Sequence, residues 1–189
     1  MAQRAPHHLF SYAEYLEREQ QSGMKHEWCG GQIFAMAGGT PEHARLAARM
    51  IAALVALALP RGCEVFGSDL KIRIAATGLA TYADCAVVCD TPVRDVDDPN
   101  AVVNPKLVVE VLSPSTEAYD RGEKLWHYQQ VPSMAAVILV SQDARRIEVL
   151  RRDESGAWSR SVAEGTIEVE IPALGRVRLD AIYGPPMDA

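Results

Sequence analysis

The chain is poor in aromatic residues and carries no excess of positive charge. Aromatics make up 6% of its 189 residues, and the formal net charge is -6 at pH 7. A strongly basic coat that binds nucleic acid by charge alone is therefore excluded. Long apolar runs are missing as well. The stretch Leu46–Leu59 is broken by Arg49 and falls short of the roughly 20 apolar residues that span a bilayer, so no membrane partner is expected. The N-terminal MAQRAPHHLFSYAEYLERE has no apolar h-region, which makes a secretory signal unexpected and a cytoplasmic location the reading. There are 4 cysteines, Cys29, Cys63, Cys85 and Cys89, too few for a disulfide scaffold and not spaced as a zinc site. Cys85 and Cys89 would stand about 13 Å apart along one strand, too far for one bridge or one metal. Buried, reduced thiols are expected. Hydrophobic residues at 48% and charged residues at 23% are ordinary globular usage, which excludes disorder. The length fits a single domain over 1–189, with its core at about 11–165 and a polar C-terminal tail.

Several elements carry their own start and stop signals. Ser11, with Glu14 three residues on, caps a short helix to about Gln21. Gly30-Gly31 separates two short apolar pieces and predicts an N-terminal hairpin. Thr40 and Pro41 open a long helix that ends before Pro60. Strand-like segments follow at Cys63–Phe66, Asp69–Ile74 and Tyr82–Asp90. Thr91–Asn104 reads as an acidic loop, and Lys106–Leu112 as a strand buried on both faces. A helix is expected over Thr116–Gln130, a buried strand over Met134–Ser141, and a hairpin from Arg145–Asp153 to Trp158–Val162. This order predicts an α/β (α+β) fold, a sheet covered by helices.

Glu110 lies in the middle of the apolar run LVVEVL. A lone ionised carboxylate there is very costly, so it must be protonated, paired or bound to metal. Asp84 opens the equally apolar DCAVVC. Neighbouring strands are about 4.8 Å apart, so both acids can converge on one cation. Lys124 lies about eight residues into the next helix, or ~12 Å back along it. That nearly cancels the ~10 Å that the strand runs on beyond Glu110. Lys124 therefore returns to the height of Glu110, with Asp120 and Tyr128 on its face at four-residue spacing. Two carboxylates and a lysine suit divalent-metal hydrolysis of a phosphodiester. A buried Lys–Glu pair that only supports packing fits the spacing equally well.

VEVLSPST at Val109–Thr116, followed by Asp120, Lys124 and Tyr128, resembles the Uma-two family of bacterial restriction endonucleases, in the PD-(D/E)XK nuclease superfamily. Further pieces of the likeness are KHEWCGGQIFAMAGGTPEH, GSDLKIRI, TYADCAVVCD and MAAVILVS. The resemblance implies a restriction-endonuclease-like central mixed sheet flanked by helices, with an N-terminal hairpin region. It implies that Asp84 is the acid of the "PD" element and Glu110 that of the (D/E)XK element. Leu112 stands where the usual lysine would be, and the role passes to Lys124. Glu27, His43 and Asp69 match further acidic or histidine positions. Ala83 replaces the usual proline before Asp84; that proline shapes backbone and supplies no chemistry.

The reading that follows is a Mg²⁺-dependent endonuclease acting on DNA, with Mn²⁺ as a possible substitute. Asp84, Glu110 and the backbone carbonyl of Val111 would hold the metal, and Lys124 would orient or activate the attacking water. Arg45, Arg49, Lys71, Arg73, Arg121 and Lys124 are candidates for a basic rim. A homodimer suits two-strand cleavage. The alternative is a catalytically silent nuclease-fold protein acting as a binding or regulatory dimer. Glycoside hydrolysis by two carboxylates is a third, weaker option.

Overall fold

The computed structural model describes residues 8–36 and 38–184. The first helix, α1 (Tyr12–Ser22), has the capping box from Ser11 and Glu14 and ends on Gly23. The hairpin follows as β1 (His26–Cys29) and β2 (Gln32–Ala35). Thr40 accepts from the His43 N–H and opens α2 (Pro41–Ala58), which a short 3-10 turn extends to Arg61. By length and apolar content alone this run could cross a bilayer. Its residues Leu46, Met50, Leu54 and Ala58, four apart, are instead buried in the protein core.

Next come β3 (Cys63–Gly67), β4 (Lys71–Ile74), β5 (Leu79–Tyr82) and β6 (Cys85–Cys89). The expected single strand over Tyr82–Asp90 is in fact divided. Strand β5 belongs to one sheet and β6 to another, and Ala83-Asp84 is the crossover between them. The acidic segment after β6 is not wholly loop, since β7 (Ala101–Val102) pairs parallel with β4. Strand β8 (Leu107–Val111) leads into an irregular helix: α3 (Glu117–Tyr119), a π-helical turn (Asp120–Lys124) and α4 (Leu125–Gln129). Strands β9 (Ala136–Val140), β10 (Arg146–Arg152) and β11 (Trp158–Glu164) complete the larger sheet.

The two larger sheets run β2-β1-β5-β4-β7 and β11-β10-β9-β8-β6-β3. In the second, β8 and β9 are parallel while β6 and β8 are antiparallel, so the sheet is mixed. Its two faces pack differently. Leu107, Val109 and Val111 face α2; Val108 and Leu112 face the other way, toward Tyr128, Val131 and the first sheet. Glu110 alternates onto that second face.

Two expectations need correction. The C-terminal segment is not a polar tail. It forms β12 (Glu168–Ile171), β13 (Gly175–Arg178) and α5 (Leu179–Tyr183), and Val169, Ile171, Val177, Leu179 and Ile182 join the core around α2. The polar positions of β12 and β13 alternate with these apolar ones, so half of each strand faces inward. The cysteines are not all reduced either. Cys63 and Cys89 are bonded across β3 and β6, where they are directly opposed; Cys29 and Cys85 are free. Spacing within one strand could not reveal a partner on its neighbour.

Ile182 is fully buried. Ile182→Ala should therefore cost about 2–5 kcal/mol, read as a lower urea midpoint. A solvated tail would leave the midpoint unchanged.

Candidate active site

Lys124 reaches inward from the π turn and is 4% exposed. Its Nζ lies 3.0 Å from Glu110 Oε1, 3.1 Å from Glu27 Oε1 and 3.9 Å from Asp120 Oδ1, and it donates to the Tyr82 carbonyl at 3.2 Å. The Tyr128 hydroxyl donates to the same Glu110 oxygen at 2.6 Å. Thr81 donates to Glu27. Each strand or helix contributes for a local reason. Glu110 is the only inward polar side chain of β8 on its face, and Glu27 points inward from β1. Asp120, Lys124 and Tyr128 follow one helical face through the widened turn.

This pocket holds three carboxylates against one ammonium. Burial pushes the Glu110 carboxyl up to about 8, with the Lys124 charge pulling against it and Asp84 and Asp120 adding to it. Asp120 is raised as well, first by burial. Burial works against the Lys124 charge, but Glu110, Tyr128, Glu27 and Asp120 outweigh it and hold the ammonium well above its ordinary pKa. Burial is the first cause of both raised carboxyls, and the neighbouring negative charges add to it.

Asp84 adjoins this pocket from the crossover. Its Oδ2 accepts the Val111 N–H at 2.7 Å. Cys85 is opposite Val109; one further step in that register sets Asp84 opposite Glu110. His43, in the first turn of α2, puts Nε2 3.2 Å from Asp84 Oδ2. The Asp84 hydrogen bond raises the His43 pKa, burial opposes it, and a hydrogen bond to the Val111 backbone adds to the rise. The imidazole thus sits against a carboxylate and beside the backbone of the residue after Glu110. Asp84 and His43 are also the open side: their side chains are 17% and 19% exposed, against 6% and 5% for Glu110 and Lys124.

Asp69 is elsewhere. Its carboxylate is exposed and paired with Lys25. Lys71 bonds to buried Asp98 at 3.0 Å. The basic rim does not form as expected. Lys124 and Lys71 are inside, Arg73 donates to the Leu79 carbonyl, and Arg49 donates to the Ile182 carbonyl. Arg121 is bound to Glu117 and Glu148. Two surface cavities of about 490 and 450 Å³ are lined by other residues and include neither Asp84, Glu110 nor Lys124. Thr81, the Tyr82 carbonyl and a second cluster of Cys29, Glu123 and His127 escaped sequence reasoning. The only trace of that second cluster in the sequence is the four-residue spacing of Glu123 and His127.

A mixed sheet with an acid pair at the β6–β8 junction and a buried lysine beside it defines a restriction-endonuclease-like nuclease fold. The chain belongs to the Uma2 family, whose description is "Putative restriction endonuclease"; the match covers residues 12–181. It is 38% identical over 181 residues to "Uncharacterized protein slr1290" of Synechocystis sp., covering 95% of this chain and 94% of that protein. A second Synechocystis protein, "Uncharacterized protein sll1609", is 31% identical over 150 residues, covering 79% and 85%. Among solved structures, "a putative nuclease belonging to DUF820" from Anabaena variabilis superposes with a TM-score of 0.73 at 16% identity, covering 90% of this chain and 96% of that one.

Two stability predictions follow from the charges. Lys124→Met leaves Glu110, Glu27 and Asp120 without their cation and should cost about 3–5 kcal/mol. Glu110→Gln added to it should recover part of that loss, and urea melts of the four-member cycle measure the recovery. The second concerns Glu148, which is buried on β10 and bound to Arg121, Arg146 and Arg160. Burial acts to raise its pKa, but the Arg121 hydrogen bond and the three guanidinium charges hold it below the ordinary carboxylate value. Its stabilisation is complete at neutral pH and is lost as the pH falls through that lowered pKa. Glu148→Gln should flatten stability against pH below about pH 4, a slope read from urea melts across the acid range.

Proposed function

We propose that this chain is a Mg²⁺-dependent endonuclease that hydrolyses DNA phosphodiesters at Asp84, Glu110 and Lys124. The observation that carries the reading is the surplus of buried negative charge beside an open carboxylate. Three carboxylates surround one ammonium with Asp84 adjoining them, and two of the four carboxyls are driven toward protonation. A divalent cation would relieve that surplus. The donors are hard oxygens, as Mg²⁺ and Mn²⁺ prefer. Asp84, Glu110 and the Val111 carbonyl would hold the ion, with His43 Nε2 beside Asp84 at the open edge of that place. When bound, the metal supplies Lewis acidity toward the phosphate and lowers the pKa of water.

The residues of the chain supply the rest. Lys124 keeps its proton, because Glu110, Glu27 and Asp120 hold its pKa high. It therefore serves as a donor that orients water and offsets developing phosphate charge, and it takes no proton itself. Glu27 and Tyr128 are positioning residues: Glu27 holds the ammonium and Tyr128 fixes Glu110 Oε1. Substrate would approach from the Asp84–His43 side, the exposed edge of the site. DNA as substrate, a homodimer and a cytoplasmic location complete the proposal. The rival reading, a silent nuclease-fold protein, draws on the same closed Glu110–Lys124 pair taken as packing alone.

Calorimetric titration of Mg²⁺ and Mn²⁺, with plasmid nicking followed in the same samples, separates the two. Wild type should bind metal and nick; Asp84→Asn should lose metal binding, and Lys124→Met should nick about 10²–10³-fold more slowly. Circular dichroism of each variant checks that it is folded. A folded wild type that neither binds metal nor nicks DNA or RNA overturns the proposal.

A further inference from the structure

A second cluster lies on the outer side of the same helix. Cys29 ends β1, two residues after Glu27, and Glu123 and His127 flank Lys124 and Tyr128 on the helix above it. Cys29 Sγ is 3.4 Å from Glu123 Oε1 and 3.6 Å from His127 Nε2, and those two atoms are 3.9 Å apart. Ligands on a tetrahedral Zn²⁺ with usual bond lengths stand about 3.3–3.6 Å from one another. The triangle therefore already has nearly the edge lengths of one face of a zinc tetrahedron.

The histidine is set for this role by its other nitrogen. Nδ1 lies 2.7 Å from Thr77 Oγ1, whose hydroxyl in turn donates to the Ile74 carbonyl. In that arrangement Thr77 accepts from the ring, and the tautomer with the proton on Nδ1 presents the Nε2 lone pair to Cys29 and Glu123. An outer hydrogen bond that selects the ligating tautomer is a regular companion of zinc-bound histidine. The buried Tyr119 hydroxyl has no hydrogen-bond partner and lies in the field of Glu27, Cys29 and Glu123. It is a polar group left over for a water or ligand atom. Glu123 is 60% exposed, so the fourth corner of the tetrahedron opens to solvent.

We infer that Cys29, Glu123 and His127 form a binding site for one Zn²⁺ ion, with water in the fourth position, that ties β1 to the helix carrying Lys124. Zn²⁺ forms a bond to Cys29 Sγ and the thiol proton leaves to solvent; no oxidation or reduction is involved. Thiolate and imidazole select this metal over Mg²⁺, whereas the oxygen donors around Asp84 and Glu110 select the reverse. The inference stands apart from the nuclease reading, since either site can exist without the other.

Co²⁺ is the probe, added to the full chain with Cys63–Cys89 bonded and Cys29 a free thiol. The expected result is one equivalent bound with tetrahedral d–d bands and a thiolate-to-cobalt charge-transfer band, both displaced by Zn²⁺. Cys29→Ser should abolish the charge-transfer band, and Thr77→Val should weaken Co²⁺ binding by about 10-fold. A measurement on the wild type needs no variant to fold. Cys29 is half-exposed while Cys85 is buried and Cys63–Cys89 is bonded, so iodoacetamide should label Cys29, and Zn²⁺ should block it. Co²⁺ bound without a charge-transfer band, a band that survives Cys29→Ser, or labelling that ignores Zn²⁺ would overturn the inference. The first of these outcomes, cobalt on oxygen ligands alone, would leave the Asp84–Glu110 proposal standing.

Discussion

The ammonium of Lys124 is the interaction on which the rest of the site depends. Glu27 comes from β1 of the smaller sheet, Glu110 from β8 of the larger one, and Asp120 from the lysine's own helix. A charged group in a dry interior is tolerated only when its partners are in place. The single cation therefore demands that both sheets and the helix meet at one point. The π-helical turn serves the same demand, since it keeps Asp120, Lys124 and Tyr128 turned inward while the chain passes from β8 to its parallel neighbour β9. The arrangement is overcharged on the acidic side, and that imbalance distinguishes it from a plain structural ion pair.

Asp84 owes its position to topology. Had Tyr82–Asp90 been one strand, Asp84 would sit inside a sheet with its backbone committed to ladder bonds. The break after Tyr82 moves the chain between sheets, and Asp84 is left at the junction with its carboxylate free to accept the Val111 N–H and meet His43. Ala83, the other residue of the crossover, is buried among apolar neighbours. Edge and interior are thereby divided: Lys124 and Glu110 are enclosed, while Asp84 and His43 border solvent.

Much of the local structure was legible. The Ser11–Glu14 box, the Thr40–Pro41 start and the Gly30-Gly31 turn each lie within a few residues, where hydrogen bonds and backbone preference act directly. The match in height of Lys124 and Glu110 was legible too, because strand and helix rises are constant. Other features were hidden for equally physical reasons. The C-terminal strands β12 and β13 alternate apolar with charged residues over only four positions each, which looks polar until α2 is present to receive one face. Cys63 and Cys89 are 26 residues apart, and no spacing within a strand reveals a partner across it. Arg49, Lys71 and Arg73 were candidates for a basic rim, yet each donates to an acceptor of the protein itself.

By itself, then, the sequence determined which acids and which lysine had to be explained, since a glutamate in a run of valines cannot be left without a partner. It also determined the class of fold, because the order of capped helices and apolar strands admits few layered arrangements. Only the tertiary structure decided who the partners are: Glu27 and Asp120 on Lys124, His43 on Asp84, Asp98 on Lys71, and Cys29 beside Glu123 and His127. Charge pairing and ligand geometry depend on distances of a few ångströms between residues far apart in the chain. Those distances exist only once two sheets and a helix have closed on one another.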